Sequence, residues 1–124
     1  GLHKLKLLFD KHAFWAAGRE IRTLRQILSN STVVISLWRG KRMVGFGRAT
    51  SDGISRAVLW DIVVAGDLQG RGLGRKVVDA LLNSRSIRNV ERIYLMTTNS
   101  GEFYEQLGFI QPPQQTMLLH QKSL

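Results

Sequence analysis

The chain has no cysteine. Disulfides, thiolate metal sites and a cysteine nucleophile are therefore excluded, and a reducing compartment is permitted. Proline is scarce: the two residues sit together at Pro112-Pro113, so no proline-rich linker divides the chain. No apolar run approaches the roughly 20 residues that a membrane span needs. The start, Gly1-Leu2-His3-Lys4-Leu5, has no signal-peptide hydrophobic region and no Met, as in a chain trimmed of a targeting segment. Acidic residues are few, 9 against 18 Lys plus Arg, for a net charge of +9. Such a balance attracts anions: nucleic acid, an anionic membrane surface or a phosphate-rich small molecule. His3, His12 and His120 are scattered without ligand spacing, so no metal is expected.

What is present reads as one globular domain over residues 1–124. Hydrophobic residues make up 44% and charged residues 22%, which excludes disordered and fibrous classes. A chain of 124 residues is long enough to bury a core.

The first third reads as helix. Leu5, Leu8 and His12 share one face, and Ile21, Leu24 and Leu28 form a second stripe, with Arg19, Glu20, Arg22 and Arg25 around it. Strands are predicted over 32–38 and 43–50, joined by the turn Arg39-Gly40-Lys41. Ser51-Asp52-Gly53 makes the next turn. The apolar run 57–65, interrupted only by the charge of Asp61, reads as a central strand buried on both faces. Leu73, Val77 and Leu81, with Val78 and Leu82 beside them, predict an amphipathic helix. A strand over 90–98, a short helix over 101–107 and a final strand over 117–120 complete an α+β or mixed-sheet α/β order.

The chemistry signal is the turn between the third strand and its helix. Gly70, Gly72 and Gly74 fall within five positions. Glycine lets backbone approach a ligand at positive φ, and the open N–H groups of a helix start hold an anion. Arg71 and Arg75 add positive charge. A Walker A loop is excluded because Arg75 is not followed by the required Lys-Ser/Thr pair. The dinucleotide fingerprint is excluded because Arg75 replaces its third glycine and three hairpin-linked strands precede the loop.

The remaining pattern, Gln69-Gly70-Arg71-Gly72-Leu73-Gly74, resembles the pyrophosphate-binding loop of the GNAT superfamily of acetyl-CoA-dependent N-acetyltransferases. Phe103-Tyr104-Glu105-Gln106-Leu107-Gly108-Phe109 resembles that family's Tyr-x-x-x-Gly-Phe signature, in the family's order and at its usual separation. The resemblance runs from about Thr32 to the C-terminus. Arg48-Ala49-Thr50-Ser51-Asp52-Gly53, Trp60-Asp61-Ile62-Val63-Val64 and Tyr94-Leu95-Met96-Thr97-Thr98 are most similar to the small members of cyanobacteria and plastids, a branch that includes enzymes assigned to serotonin and other arylalkylamines and to protein amines.

The resemblance implies the GNAT fold, a central mixed twisted sheet flanked by helices. It implies acetyl-CoA as co-substrate, with the pantetheine arm held by backbone groups of Val63 and Val64 and touched by Asn99. The pyrophosphate would lie on Gln69, Gly70, Arg71, Gly72, Leu73, Gly74 and Arg75. Tyr104 would protonate the leaving thiolate and also contact the cofactor. Asp61 would take the amine proton or attract the ammonium form of the acceptor, a primary amine such as serotonin, another arylalkylamine, or a protein lysine or N-terminus. Without cysteine, transfer would be direct within a ternary complex. The family's habit of pairing implies a homodimer, and the branch implies bacterial cytoplasm or plastid stroma. Where the family often has a proline and an aromatic residue, this chain has Gly66 and Leu68.

Each signal has a plainer reading. The glycines alone would serve a tight turn, and Tyr104 would serve as a core aromatic. Asp61 would pair with an arginine or a backbone amide, since a carboxylate in a buried strand needs a partner. Phe9, Phe14 and Trp15 would be core or would wall the acceptor pocket. A basic nucleic-acid-binding module is one alternative function, though no stacking platform or recognition helix stands out. A non-catalytic acyl-CoA-binding domain is the other.

Overall fold

A computed structural model of the chain describes residues 1–97, 101–113 and 116–121. Helix α1 (Leu2–His12) is followed by a 3-10 turn (Phe14–Ala16) and by α2 (Ile21–Ser29). Strands β1 (Val33–Arg39), β2 (Arg42–Ser51) and β3 (Arg56–Val64) form two antiparallel pairs. A second 3-10 turn (Gly66–Leu68) leads into α3 (Leu73–Leu82), which carries the chain across to β4 (Arg92–Leu95); α4 (Gly101–Gln106) follows. The sheet order is β1-β2-β3-β4, and β4 is parallel to β3. A parallel pair needs such a crossover, whereas β2 and β3 need only a hairpin. That hairpin is closed by Asp52, whose carboxylate accepts from the amides of Ile54 at 2.8 Å and Ser55 at 2.7 Å.

Each sheet face has its own core. On one, Leu5, Leu8, Phe9 and Leu24 of the first two helices pack on Val44, Phe46, Val63 and Leu68. Phe9 and Phe46 meet edge to face at 5.3 Å between ring centres. On the other, Val77, Val78 and Leu81 of α3 pack on Ala49 and Leu59. Both stripes are the ones the helical spacing marks, so the amphipathic pattern decides which side of the sheet each helix covers.

Three expectations are corrected. The run 57–65 forms an inner strand, but its side chains alternate between buried and half-buried: Ala57 and Leu59 are buried on the α3 side and Val63 on the α1 side. Among the described residues, the strand expected over 90–98 spans Arg92–Leu95; residue 98 lies outside them. The strand expected over 117–120 does not form: residues 116–121 pair with no strand among the described residues, and Met117, Leu118 and Leu119 are exposed. A strand exists through its ladder partner, and an apolar run without one has no backbone reason to extend.

Candidate cofactor cradle and its neighbouring groups

Strand β3 is where the sheet opens. Pairing with β4 ends at Leu59 opposite Leu95, with the Met96 amide donating to the Leu59 carbonyl at 3.1 Å. Beyond this, β3 runs on to Val64 with no partner on that side among the described residues. On the other side it stays paired with β2, but with a slip. Phe46 faces Val63 and Arg48 faces Trp60, so Asp61 and Ile62 both stand opposite Gly47. This is a β-bulge. Asp61 takes up the extra residue with φ of 55°, a left-handed conformation unusual for a side chain larger than glycine. Gly47 is required by the same packing. A Cβ there would lie 2.6 Å from Val77 Cγ1 and 3.1 Å from Leu81 Cδ1, so glycine is what lets α3 sit down over the bulge.

The register decides which backbone groups face the opening. Ala65 donates its amide to the Val44 carbonyl at 2.9 Å while Gly45 stands opposite Val64. That is the non-bonded pairing of an antiparallel ladder, so Val64 turns its N–H and C=O away from β2 and Val63 turns its own towards Phe46. Of the two valines expected to hold the pantetheine arm, Val64 directs its backbone to the open edge and Val63 directs its own towards β2. Ile62 joins Val64 on the open edge by the same alternation. Val63 instead contributes a buried side chain to the α1 side of the core.

The open edge leads directly into the glycine loop. Gly70 and Gly72 adopt φ of 81° and 78°, and a Cβ on either would meet nothing within 4 Å. Their conformation, rather than crowding, calls for glycine, and the space beside each Cα is open. Gly72 caps α3. The first helical bond there runs from the Lys76 amide to the Gly72 carbonyl at 3.1 Å, so the amides of Leu73, Gly74 and Arg75 are left for an outside acceptor. The first turn of α3 holds no acidic residue and carries Arg75, next to Lys76. Basic residues at the positive end of a helix dipole are unfavourable unless an anion joins them. Gln69 and Arg71 are exposed beside this end. Arg75 approaches Asp79 at 3.7 Å in an exposed pair, which is weak enough to yield to a stronger anion.

Gly74 differs from the other loop glycines. A Cβ there would be 3.2 Å from Phe103 Cζ and 3.8 Å from Val64 Cγ2. The open edge of β3, the start of α3 and α4 thus meet at one point. Tyr104, next to Phe103, is 8% exposed and lies between Phe103 and Phe109 in edge-to-face contacts at 5.0 and 6.0 Å. Burial pushes its phenol above the ordinary tyrosine value, so the hydroxyl keeps its proton through the neutral range. Tyr104 also lines a cavity of about 1000 Å³ with Leu95, Met96 and Phe109. Asn99, the remaining expected contact, lies outside the described residues.

Asp61 is buried in the middle of a network of donors. Its Oδ1 accepts the indole N–H of Trp15 at 3.0 Å. Its Oδ2 accepts from Arg48 Nε at 2.8 Å and Arg19 Nη1 at 3.5 Å. The Arg48 guanidinium also stacks 5.5 Å from the Trp60 ring, whose indole N–H donates to Thr50. The sequence signals that Asp61 needs a partner but not which one, since 18 basic residues compete for it. Of the three aromatics near the first helix, Phe9 is core, whereas Phe14 is 73% and Trp15 39% exposed. His12 also makes a bond that its spacing does not reveal: its Nδ1 accepts the Gly66 amide at 3.0 Å.

Comparison with known proteins agrees with this geometry. The family model described as an acetyltransferase (GNAT) domain matches residues 11–111. The chain is 36% identical over 117 residues to an uncharacterized N-acetyltransferase, ycf52, of Pyropia yezoensis, with 90% of this chain and 66% of that protein covered. It is 36% identical over 75 residues to the chloroplastic GCN5-related N-acetyltransferase 2 of Arabidopsis thaliana, with 60% of this chain and 29% of that protein covered. The chain thus spans about two thirds or less of the length of these curated relatives. A GNAT family acetyltransferase from Streptococcus pneumoniae TIGR4 superposes with a TM-score of 0.81 at 22% identity, covering 98% of this chain and 92% of that one.

Proposed function

The chain belongs to the GNAT acetyltransferase family, and from that premise we propose that it transfers the acetyl group of acetyl-CoA directly to a primary amine. The observation that supports this most is the continuity of the cradle. Val64 and Ile62 lie on the edge of β3 that has no strand partner among the described residues, and the same chain continues into the open amides at the start of α3. An extended thioester arm fits the edge, and a diphosphate fits the basic, acid-free helix start.

In the proposed reaction, the neutral amine nitrogen attacks the thioester carbonyl carbon. The C–N bond forms, the C–S bond breaks, and the amide N–H groups of the open edge stabilise the oxygen as it gains charge. Tyr104 gives its phenolic proton to the departing thiolate. A phenol at about 10 and a simple thiol at about 8.5 are not matched in water, but removal from water raises the thiolate's basicity as well as the phenol's pKa. Absence of cysteine removes an acyl-cysteine route. The amine proton leaves to water, and the Tyr104 phenolate takes a proton back from water after the thiol departs, so no net proton is gained or lost. Asp61 is a poor base here because both carboxylate oxygens already accept from Trp15, Arg48 and Arg19. We assign it a positioning role instead: it ties residues 13–19 to the bulge.

The acceptor we favour is an amine on an aromatic or apolar carrier, an arylalkylamine such as serotonin. Phe14 and Trp15 present aromatic surface, and Trp15 is fixed by Asp61. Protein lysine or N-terminal amines are the competing acceptors. The chloroplastic relative supports a plastid setting, with bacterial cytoplasm as the alternative, and pairing into a homodimer is carried over from the family. The deciding experiment follows free thiol release from acetyl-CoA with tryptamine-type amines, polyamines, aminoglycosides and lysine peptides. Turnover with the aromatic amines supports the reading, and release with none of the amines overturns it.

A further inference from the structure

Gly66 is the joint between the open edge of β3 and the glycine loop. Its neighbours are fixed by backbone: the Ala65 amide by the Val44 carbonyl at 2.9 Å, and the Leu68 amide by the Ala65 carbonyl at 2.9 Å. Gly66 is held instead by a side chain from 54 positions earlier, with its amide donating to His12 Nδ1 at 3.0 Å. A Cβ on Gly66 would stand 3.2 Å from that same nitrogen, so ring and backbone are in contact as well as bonded. His12 reaches this point because it follows Leu5 and Leu8 on the buried face of α1. Accepting on Nδ1 requires a neutral imidazole with its proton on Nε2.

We propose that His12 is a positioning residue for the cofactor loop: its neutral ring pins the Gly66 amide and keeps the loop in register with Val64, and protonation of the ring releases the pin. The proposal rests on the acetyl-CoA reading of the cradle. Protonation places a hydrogen on Nδ1, so two donors then face each other and the bond is lost. The charged groups around the ring are Asp67 on the loop, its partner Arg42 on β2 and Lys11 on the ring's own helix. Asp67 accepts from both terminal nitrogens of Arg42, at 2.9 and 2.6 Å. His12 lies within electrostatic reach of Asp67. The added charge therefore falls beside the Asp67 carboxylate, while the bond to the Gly66 amide is lost.

Calorimetric titration of CoA into the wild-type protein, His12→Phe and His12→Asn at about pH 8 and about pH 5.5 tests this. At the higher pH, His12→Phe is expected to weaken binding about threefold to tenfold, the share of one hydrogen bond. His12→Asn, whose amide oxygen accepts at both pH values, is expected to bind within about twofold of wild type at the higher pH. On acidification wild type should lose about threefold to tenfold more affinity than His12→Asn; the phosphate of CoA titrates equally in both comparisons. Wild-type affinity in His12→Phe at the higher pH, or parallel losses in wild type and His12→Asn, would overturn the proposal. If His12→Phe fails to fold, the wild-type and His12→Asn comparison decides alone. A wild-type protein that binds no CoA at either pH defeats the cradle itself, an outcome distinct from failure of the pin.

Discussion

Trp15 donates its indole N–H to Asp61 Oδ1 at 3.0 Å, and with the Arg19 contact to Oδ2 that bond joins the segment between the first two helices to the bulge where the sheet opens. The same carboxylate carries Arg48 at 2.8 Å, and its side chain is only 6% exposed. Asp61→Asn leaves two arginines around an uncharged amide that presents a donor of its own. A loss of about 3 kcal/mol in unfolding free energy is expected, as for a broken buried pair, together with a red shift of tryptophan emission as Trp15 is freed. Full stability and an unshifted emission in the variant would contradict this positioning role.

Tyr104→Phe removes one hydroxyl from a buried ring. Turnover is expected to fall about 100-fold or more, the usual share of a general acid, while CoA affinity measured by calorimetry changes little. Unchanged turnover would return Tyr104 to the role of core aromatic.

The raised pKa of Tyr104 also has a sign for stability. The unfolded chain ionises near the ordinary value of about 10, below the folded protein, so the buried neutral phenol contributes fully below that pH. Stability should fall as pH climbs from about 10 through the folded value. Tyr104→Phe should flatten that alkaline loss in urea titrations, and an identical loss in both proteins would show that the phenol is not responsible.

Gly72→Val forces a β-branched residue into a left-handed cap at φ of 78° and places a side chain in the open space over the loop. Strain alone costs roughly 1–2 kcal/mol. The sharper expectation is loss of the rise in melting temperature that saturating acetyl-CoA gives the wild type. A full rise in the variant would place the cofactor elsewhere.

Gly47→Ala tests the bulge from the opposite strand. Its Cβ would come within 2.6 Å of a stiff Val77 methyl, so α3 must lift. A destabilisation of about 1–3 kcal/mol is expected from overpacking, read by chemical denaturation, and a neutral effect would mean the helix does not rest on the bulge.

The parts legible in the sequence are those carried by local pattern. Leu73, Val77 and Leu81 mark the buried stripe of α3, and the glycines at 70 and 72 mark positive φ because only backbone freedom is needed there. The bulge is not legible: its left-handed residue is an aspartate, and the register slip is set by α3 resting on Gly47, a contact between distant segments. Without the slip, Val63 and Val64 cannot be told apart as to which turns its backbone to the open edge, and Ile62 is not singled out at all. The partners of Asp61 and the bond from Gly66 to His12 depend on tertiary approach in the same way. The run 117–120 has strand-like residues but finds no ladder partner among the described residues, so composition alone misleads there.

Titration of acetyl-CoA into the wild-type protein and Gly72→Val, followed by calorimetry, reaches the central claim most directly. Saturable one-site binding to wild type that disappears in a folded Gly72→Val is the expected result. No binding to wild type, or equal binding to both, would contradict a cradle formed by the edge of β3 and the start of α3.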